Sequence, residues 1–113
     1  MSDYSLISRF EQQLLEVTNM ILAKYQKELK KTDLTVAVKR MGQLPLSDPK
    51  YCSEVVVEFY SNRMLADILE FFAWKDGAPH ASLQEAEEWL NLNVQDVIQK
   101  QRERLKNQNK VAV

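Results

Sequence analysis

Apolar side chains recur at steps of three and four near the start of the chain: Leu6, Phe10, Leu14, Val17, Ile21 and Tyr25, widened by Ile7, Leu22 and Leu29. That spacing predicts an amphipathic helix. Glu11, Gln12, Gln13, Glu16, Lys24 and Lys27 fill its other sides. Ser2 or Ser5 is placed to cap its start, and Lys27, Lys30 and Lys31 suit the negative end of its dipole. About 25 residues at ~1.5 Å each make a helix of roughly 38 Å. A small sheet needs less, so one end is free to project or to pair with a second copy.

The period then changes to two. Leu34, Val36 and Val38 alternate with Thr35, Ala37 and Lys39, which predicts a half-buried strand over Leu34–Met41. Gly42, Pro45 and Pro49 mark a loop. Ser53–Tyr60 is the clearest strand: Val55, Val57 and Phe59 face one way, and Glu54, Val56, Glu58 and Tyr60 the other. Leu65–Trp74 reads two ways. Leu65, Ile68, Leu69 and Phe72 fit a helix, but the segment is rich in aromatics and follows a short Ser61-Asn62 turn. A third strand is favoured, because a hairpin return needs only a short loop.

Phe71–Trp89 (FFAWKDGAPHASLQEAEEW) holds the single histidine and both tryptophans. Lys75-Asp76-Gly77-Ala78-Pro79 reads as a turn. Ser82-Leu83-Gln84-Glu85 reads as a capping box that starts a helix, with Leu83, Ala86 and Leu90 as its buried stripe. Asn91 and Asn93 interrupt that stripe, and Asn93 with Asp96 resembles a second helix start, so a break is expected at Asn91–Asn93. Val94, Val97, Ile98 and Leu105 continue an apolar side. The polar, basic residues 104–113 are expected to fray. The fold class is α+β: a small antiparallel meander of two to three strands packed with a long N-terminal helix and C-terminal helices, in the order α-β-β-(β)-α-α.

The 113 residues are enough for a single domain (1–113), and 45% apolar content can build its core. Charge changes the picture more. Residues 51–99 carry two basic and nine acidic side chains, and residues 100–113 carry five basic and one acidic. The middle of the chain therefore repels phosphate. The tail lacks interleaved aromatics and sits where a helix C-terminus favours basic residues anyway, so nucleic acid is not the expected partner. The start is no signal peptide and no run is long enough to span a membrane, which points to the cytoplasm. The lone Cys52 forms no internal disulfide and fits a reducing compartment.

Candidate chemistry is sparse. One cysteine and one histidine do not make a metal site, and Gly42 and Gly77 are isolated, so no phosphate-cradling loop exists. No metal, cofactor or catalytic residue is assigned. Cys52 with His80 is the single thiol–imidazole pair, and Glu58 opposite Asp67 the nearest carboxylate pair, so a small enzyme is one alternative. Glu54 and Glu58 are roughly 13 Å apart along a strand, too far for a glycosidase pair.

Another protein is the expected partner. The acidic side chains Glu54, Glu58, Asp67, Glu70, Asp76, Glu85 and Glu88 favour a basic one, and Trp74 or Trp89 is the candidate anchor. The expected function is non-enzymatic binding. One version is an inhibitor that neutralises a basic toxin, such as a nuclease, by covering its substrate groove with an acidic face. Immunity proteins of bacterial toxin systems share this size and charge, an analogy that does not extend to sequence. A homo-oligomeric structural or adaptor protein, dimerised through the N-terminal helix, is the other alternative.

Overall fold

The computed structural model describes residues 3–111. Helix α1 (Asp3–Lys24) and the short α2 (Gln26–Lys31) lead into β1 (Thr35–Gln43), β2 (Cys52–Ser61), β3 (Met64–Lys75) and β4 (Ala78–Pro79), and α3 (Leu83–Val111) closes the chain. The strands form one antiparallel sheet in the order β1-β2-β3-β4. The fold is α+β as expected, with one strand more than predicted. Leu65–Trp74 is strand, and Asp76-Gly77 returns the chain into β4 rather than leaving it as a plain turn.

Both tight hairpins have two residues of positive φ: Asn62 (52°) and Arg63 (65°) between Ser61 and Met64, and Asp76 (55°) and Gly77 (80°) between Lys75 and Ala78. That geometry matches the right-handed twist of the flanking strands. Arg63 is the costly choice, since a Cβ clashes in this region. Arg63→Gly is expected to raise stability by about 0.5–1 kcal/mol, read as a higher urea midpoint at unchanged slope.

Alternation divides the sheet. Val36, Val38, Val55, Val57, Phe59, Leu69, Phe71 and Ala73 face the helices, joined by Leu14, Ile21 and Leu22 of α1 and Ala86, Leu90, Val94, Val97 and Ile98 of α3. Lys39, Glu54, Val56, Glu58, Ile68, Glu70 and Phe72 lie on the other face, which no helix covers. Val56 is still only 5% exposed there, under the surrounding charged stems. Two register shifts, at Phe59/Tyr60 and Ser53/Glu54, place Ala66 and Ala73 as bulge residues on β3.

Three expectations about the helices change. The first helix is not continuous: it breaks at Tyr25 (φ −101°, ψ 14°). The Tyr25 hydroxyl donates to Asn91 Oδ1 (2.6 Å) and accepts from Gln95 Nε2 (2.5 Å), which ties the break to α3. Leu6, placed in the apolar stripe, is 57% exposed, and the buried line is Ile7, Glu11, Leu14, Thr18 and Ile21. Much of the stripe is thus buried inside the chain, while Tyr4, Leu6 and Met20 of α1 remain exposed.

The expected break at Asn91–Asn93 is absent, and α3 is one helix of 29 residues. Asn91 is held by Tyr25 and Lys24, and Asn93 Nδ2 donates to Trp89 O (2.8 Å), so neither side chain caps a new start. α3 runs on to Val111, and Arg104 Nη1 donates to Ala66 O (3.1 Å). Residues 112–113 lie outside the described residues. The capping box forms as expected: Glu85 N donates to Ser82 Oγ (3.1 Å) and Ser82 N to Glu85 Oε1 (3.2 Å). α2 ends in a Schellman motif, with Asp33 at φ 59° and Leu34 N donating to Leu29 O (2.9 Å). Among the described residues no helix is long and apolar enough to cross a membrane.

Candidate functional site

Between the β3 edge and the first turns of α3 the chain leaves a cleft of about 420 Å³. Leu14 and Ala86 form its floor, Phe71, Phe72 and Trp89 its walls, and Glu70, His80 and Glu85 its rim. Local sequence explains each position. Alternation along β3 sends Glu70 and Phe72 to the open side and Phe71 to the helix side. The capping box fixes the start of α3, and Glu85 and Trp89, four residues apart, share a helix face. The Phe71 and Trp89 rings lie 5.3 Å apart at 55°. Phe72 sits 5.5 Å from the His80 ring, and its face carries the chain's own Lys75 ammonium at 4.4 Å. That contact shows an ammonium already resting on a wall of the cleft. Among the described residues neither Glu70 nor Glu85 has an ion-pair partner.

The structure brings three of the predicted site residues into this cleft: Glu70, Glu85 and Trp89. Trp89 is the more available tryptophan at 38% exposed, whereas Trp74 is half-buried with its ring 6.2 Å from that of Phe10. Glu54 and Glu58 lie beside Glu70 on the uncovered sheet face. Glu58 is already committed: Lys39 Nζ is 2.8 Å from its Oε1 and holds its carboxyl below the usual range by hydrogen bonding. The same hydrogen bond raises Lys39. Glu58 also raises the Tyr60 phenol, chiefly through a hydrogen bond. Asp67 stands apart, half-buried opposite Phe59, with its Oδ1 accepting from Ile68 N (2.9 Å). Asp76 is in the exposed turn. Glu88 is turned from the cleft toward Lys24, Gln84 and Asn91.

The pairings considered for catalysis do not form. Cys52 Sγ lies 3.8 Å from Gln43 Oε1 on the β1 side of β2. His80 lies on the far side of β3, its N–H donating to Ala73 O (3.0 Å), about 10 Å away at two strand spacings. Glu58 is opposite Ile68 rather than Asp67, so the two carboxylates occupy different faces. Among the described residues no group of three or more His, Cys, Asp or Glu is placed to hold a metal ion.

Sequence reasoning missed one polar cluster. Glu11, assigned to the wet side of α1, is 5% exposed and accepts the Tyr51 hydroxyl proton (2.6 Å), with Arg40 Nη1 at 3.5 Å. Arg40 Nη1 also donates to Tyr51 Oη (3.1 Å). Gly42 makes room, because a Cβ there would lie 3.0 Å from Arg40 Nη1 and 3.1 Å from Tyr51 Oη. A polar cavity of about 380 Å³ adjoins this cluster. The three groups satisfy one another, so they read as a bridge between α1, β1 and the loop before β2. No local pattern could have shown it, since Tyr51 lies 40 residues from Glu11.

Burial holds the Tyr51 phenol above its ordinary value of 10.0, and the hydrogen bond to Glu11 adds to this. A raised folded-state value stabilises the protonated form. Its contribution is therefore whole below pH 10.0 and is lost as pH rises through the folded value. Tyr51→Phe is expected to cost about 1.5–3 kcal/mol at neutral pH, the range for a hydrogen bond to a charged group. It is also expected to flatten the fall in stability above pH 10.0. Lys39 and Tyr60, both raised, retain part of that fall. Urea titrations of both proteins across alkaline pH check both effects.

Comparison with protein-family models, with curated proteins and with solved structures found no match. The site must therefore be read from its own chemistry. It is an open aromatic cleft on an α+β scaffold, with two carboxylates that have no ion-pair partner among the described residues, Glu85 also accepting from Ser82 N.

Proposed function

We propose that this chain is a non-enzymatic protein-binding domain that captures a basic side chain of its partner in the cleft between β3 and α3. The observation that carries this reading is the convergence of Glu70 and Glu85 on the aromatic walls Phe71, Phe72 and Trp89. Aromatic faces attract cations, and carboxylates nearby add charge and direction. Arginine, with a flat guanidinium that stacks and forks, uses both features best. Lys75 is the opposing charge at the rim, and a partner's arginine displaces its ammonium from Phe72.

The concrete form of the proposal is an immunity-type inhibitor. A basic toxin, such as a nuclease, presents arginine or lysine side chains around its substrate groove. Glu54, Glu70 and Glu85 steer it in, and Trp89 anchors it, so the groove is covered and the toxin is inactive. Complementary charge accelerates the encounter, and the buried aromatic slows release.

The test is affinity capture from the native lysate with the parent chain and with the Glu70→Lys, Glu85→Lys double variant, at low and moderate salt. The proposal predicts one basic protein retained by the parent, lost with the double variant and weakened by salt. Capture of the same proteins by both chains contradicts it. A self-associating parent that retains only itself, seen by light scattering, supports the homo-oligomer instead.

A further inference from the structure

The free edge of β3 bears on how the partner of the reading above would dock, and the inference drawn from it rests on that reading. In an antiparallel pair, alternate residues direct their N–H and C=O groups to the same side. On β3 the Ala66 carbonyl accepts from Arg104 of α3, and the Ile68 N–H is taken by the Asp67 carboxylate (2.9 Å). Both groups therefore point away from β2. Alternation then sends the backbone groups of Glu70 and Phe72 to that same free side. The bulge at Ala73 reverses the phase, and from there β4 and His80 cover the edge: Ala73 O accepts from His80 N, and Lys75 pairs with Ala78.

Among the described residues the edge is thus protected at both ends and bare in the middle. Arg104 and Asp67 close one side of the gap, and β4 closes the other. The gap coincides with the cleft, since Glu70 and Phe72 both line it. Proteins usually blunt free edges, because an uncovered one templates strand pairing. The opposite edge of the sheet, β1, carries Lys39 and Arg40 at its centre and adjoins no aromatic cleft. Both are engaged by Glu58 and Glu11, and β1 itself carries no acidic side chain to attract a basic segment, whereas β3 offers Glu70.

We propose that an extended basic segment of the partner protein adds to β3 as a further strand. Its backbone would pair with Glu70 and Phe72, and an arginine or lysine would enter the cleft between Glu70, Glu85 and Trp89. Main-chain bonds then supply affinity, and the alternate side chain in the cleft supplies selectivity for a cation.

The test uses the full chain, labelled for amide hydrogen exchange. The probes are a short peptide of alternating valine and arginine and two counterparts N-methylated on one or the other alternate set of amides. Side chains and charges are the same in all three, but each counterpart lacks the donors on one of its edges. The expected result is saturable binding of the parent peptide with slowed exchange at the Glu70 and Phe72 amides. One methylated counterpart binds at near-parental strength and the other at least about tenfold more weakly.

If all three bind the cleft alike, with no protection at Glu70 and Phe72, strand addition is wrong and cation capture stands. If none perturbs the cleft, both ideas fall. Protection along β1 instead overturns strand addition. So does protection of Glu70 without peptide in a chain that light scattering shows to be dimeric, because the occupant is then a second copy.

Discussion

Phe59→Ala is expected to destabilise the chain by about 3–5 kcal/mol, the range for emptying a buried phenylalanine site. Phe59 is 0% exposed and lies on β2, an interior strand of the sheet. Val36 on β1 and Asp67 on β3 flank it in register. Its ring packs in the core that the helices cover. Two hydrogen-bonded neighbours hold the strand in place, so the backbone cannot move in to fill the space and most of the cavity remains. Against a total of roughly 5–15 kcal/mol for a domain, this is about a fifth of the stability or more. Ile68→Ala is the contrasting substitution, on the uncovered face at 38% exposed, and should cost under about 1.5 kcal/mol. Urea unfolding measures both, and equal losses would contradict the assignment of faces.

The second large effect concerns binding. With the partner in hand, Trp89→Ala is expected to cost at least about 2 kcal/mol, which is roughly thirtyfold in Kd, mostly through faster release. Trp89 lines the cleft with its ring 5.3 Å from that of Phe71, so its removal takes away a large aromatic face. The Glu70→Lys, Glu85→Lys variant is expected to lose affinity differently. Its association rate should fall and lose its salt dependence, since the side chains that steer the partner now repel it. Stopped-flow kinetics separates the two variants. Trp74→Phe, changed on the side chain packed near Phe10, should leave both rates close to parental.

The sequence shows what depends on neighbours within a few positions. The alternation of Val55, Val57 and Phe59 defines β2 and its buried face, and Ser82 with Glu85 defines the start of α3. What it hides depends on partners far along the chain. Tyr25 breaks a helix because Asn91 and Gln95 hold its hydroxyl, and Asn91 fails to break one for the same reason. Glu11 is buried because Tyr51 and Arg40 come to it. The cleft is an intermediate case. Glu70, Glu85 and Trp89 were visible as candidates by type, but only the β3 register and the start of α3 bring them together. Asp67 shows the reverse: it matched by type, and a bulge at Ala66 together with the register put it opposite Phe59, away from the others. Asp76-Gly77 is two-residue hairpin chemistry and so marks β4 within the sequence itself.

Cation capture by the cleft is read out by a fluorescence titration of Trp89 in the Trp74→Phe variant, where it is the remaining tryptophan. The probes are two short peptides that differ at one position, arginine in one and citrulline in the other, which keeps the shape and removes the charge. If the cleft captures cations, Trp89 emission changes saturably with the arginine peptide, the change is weakened by salt, and citrulline gives little change. Equal responses to both peptides, or none to arginine, would contradict it.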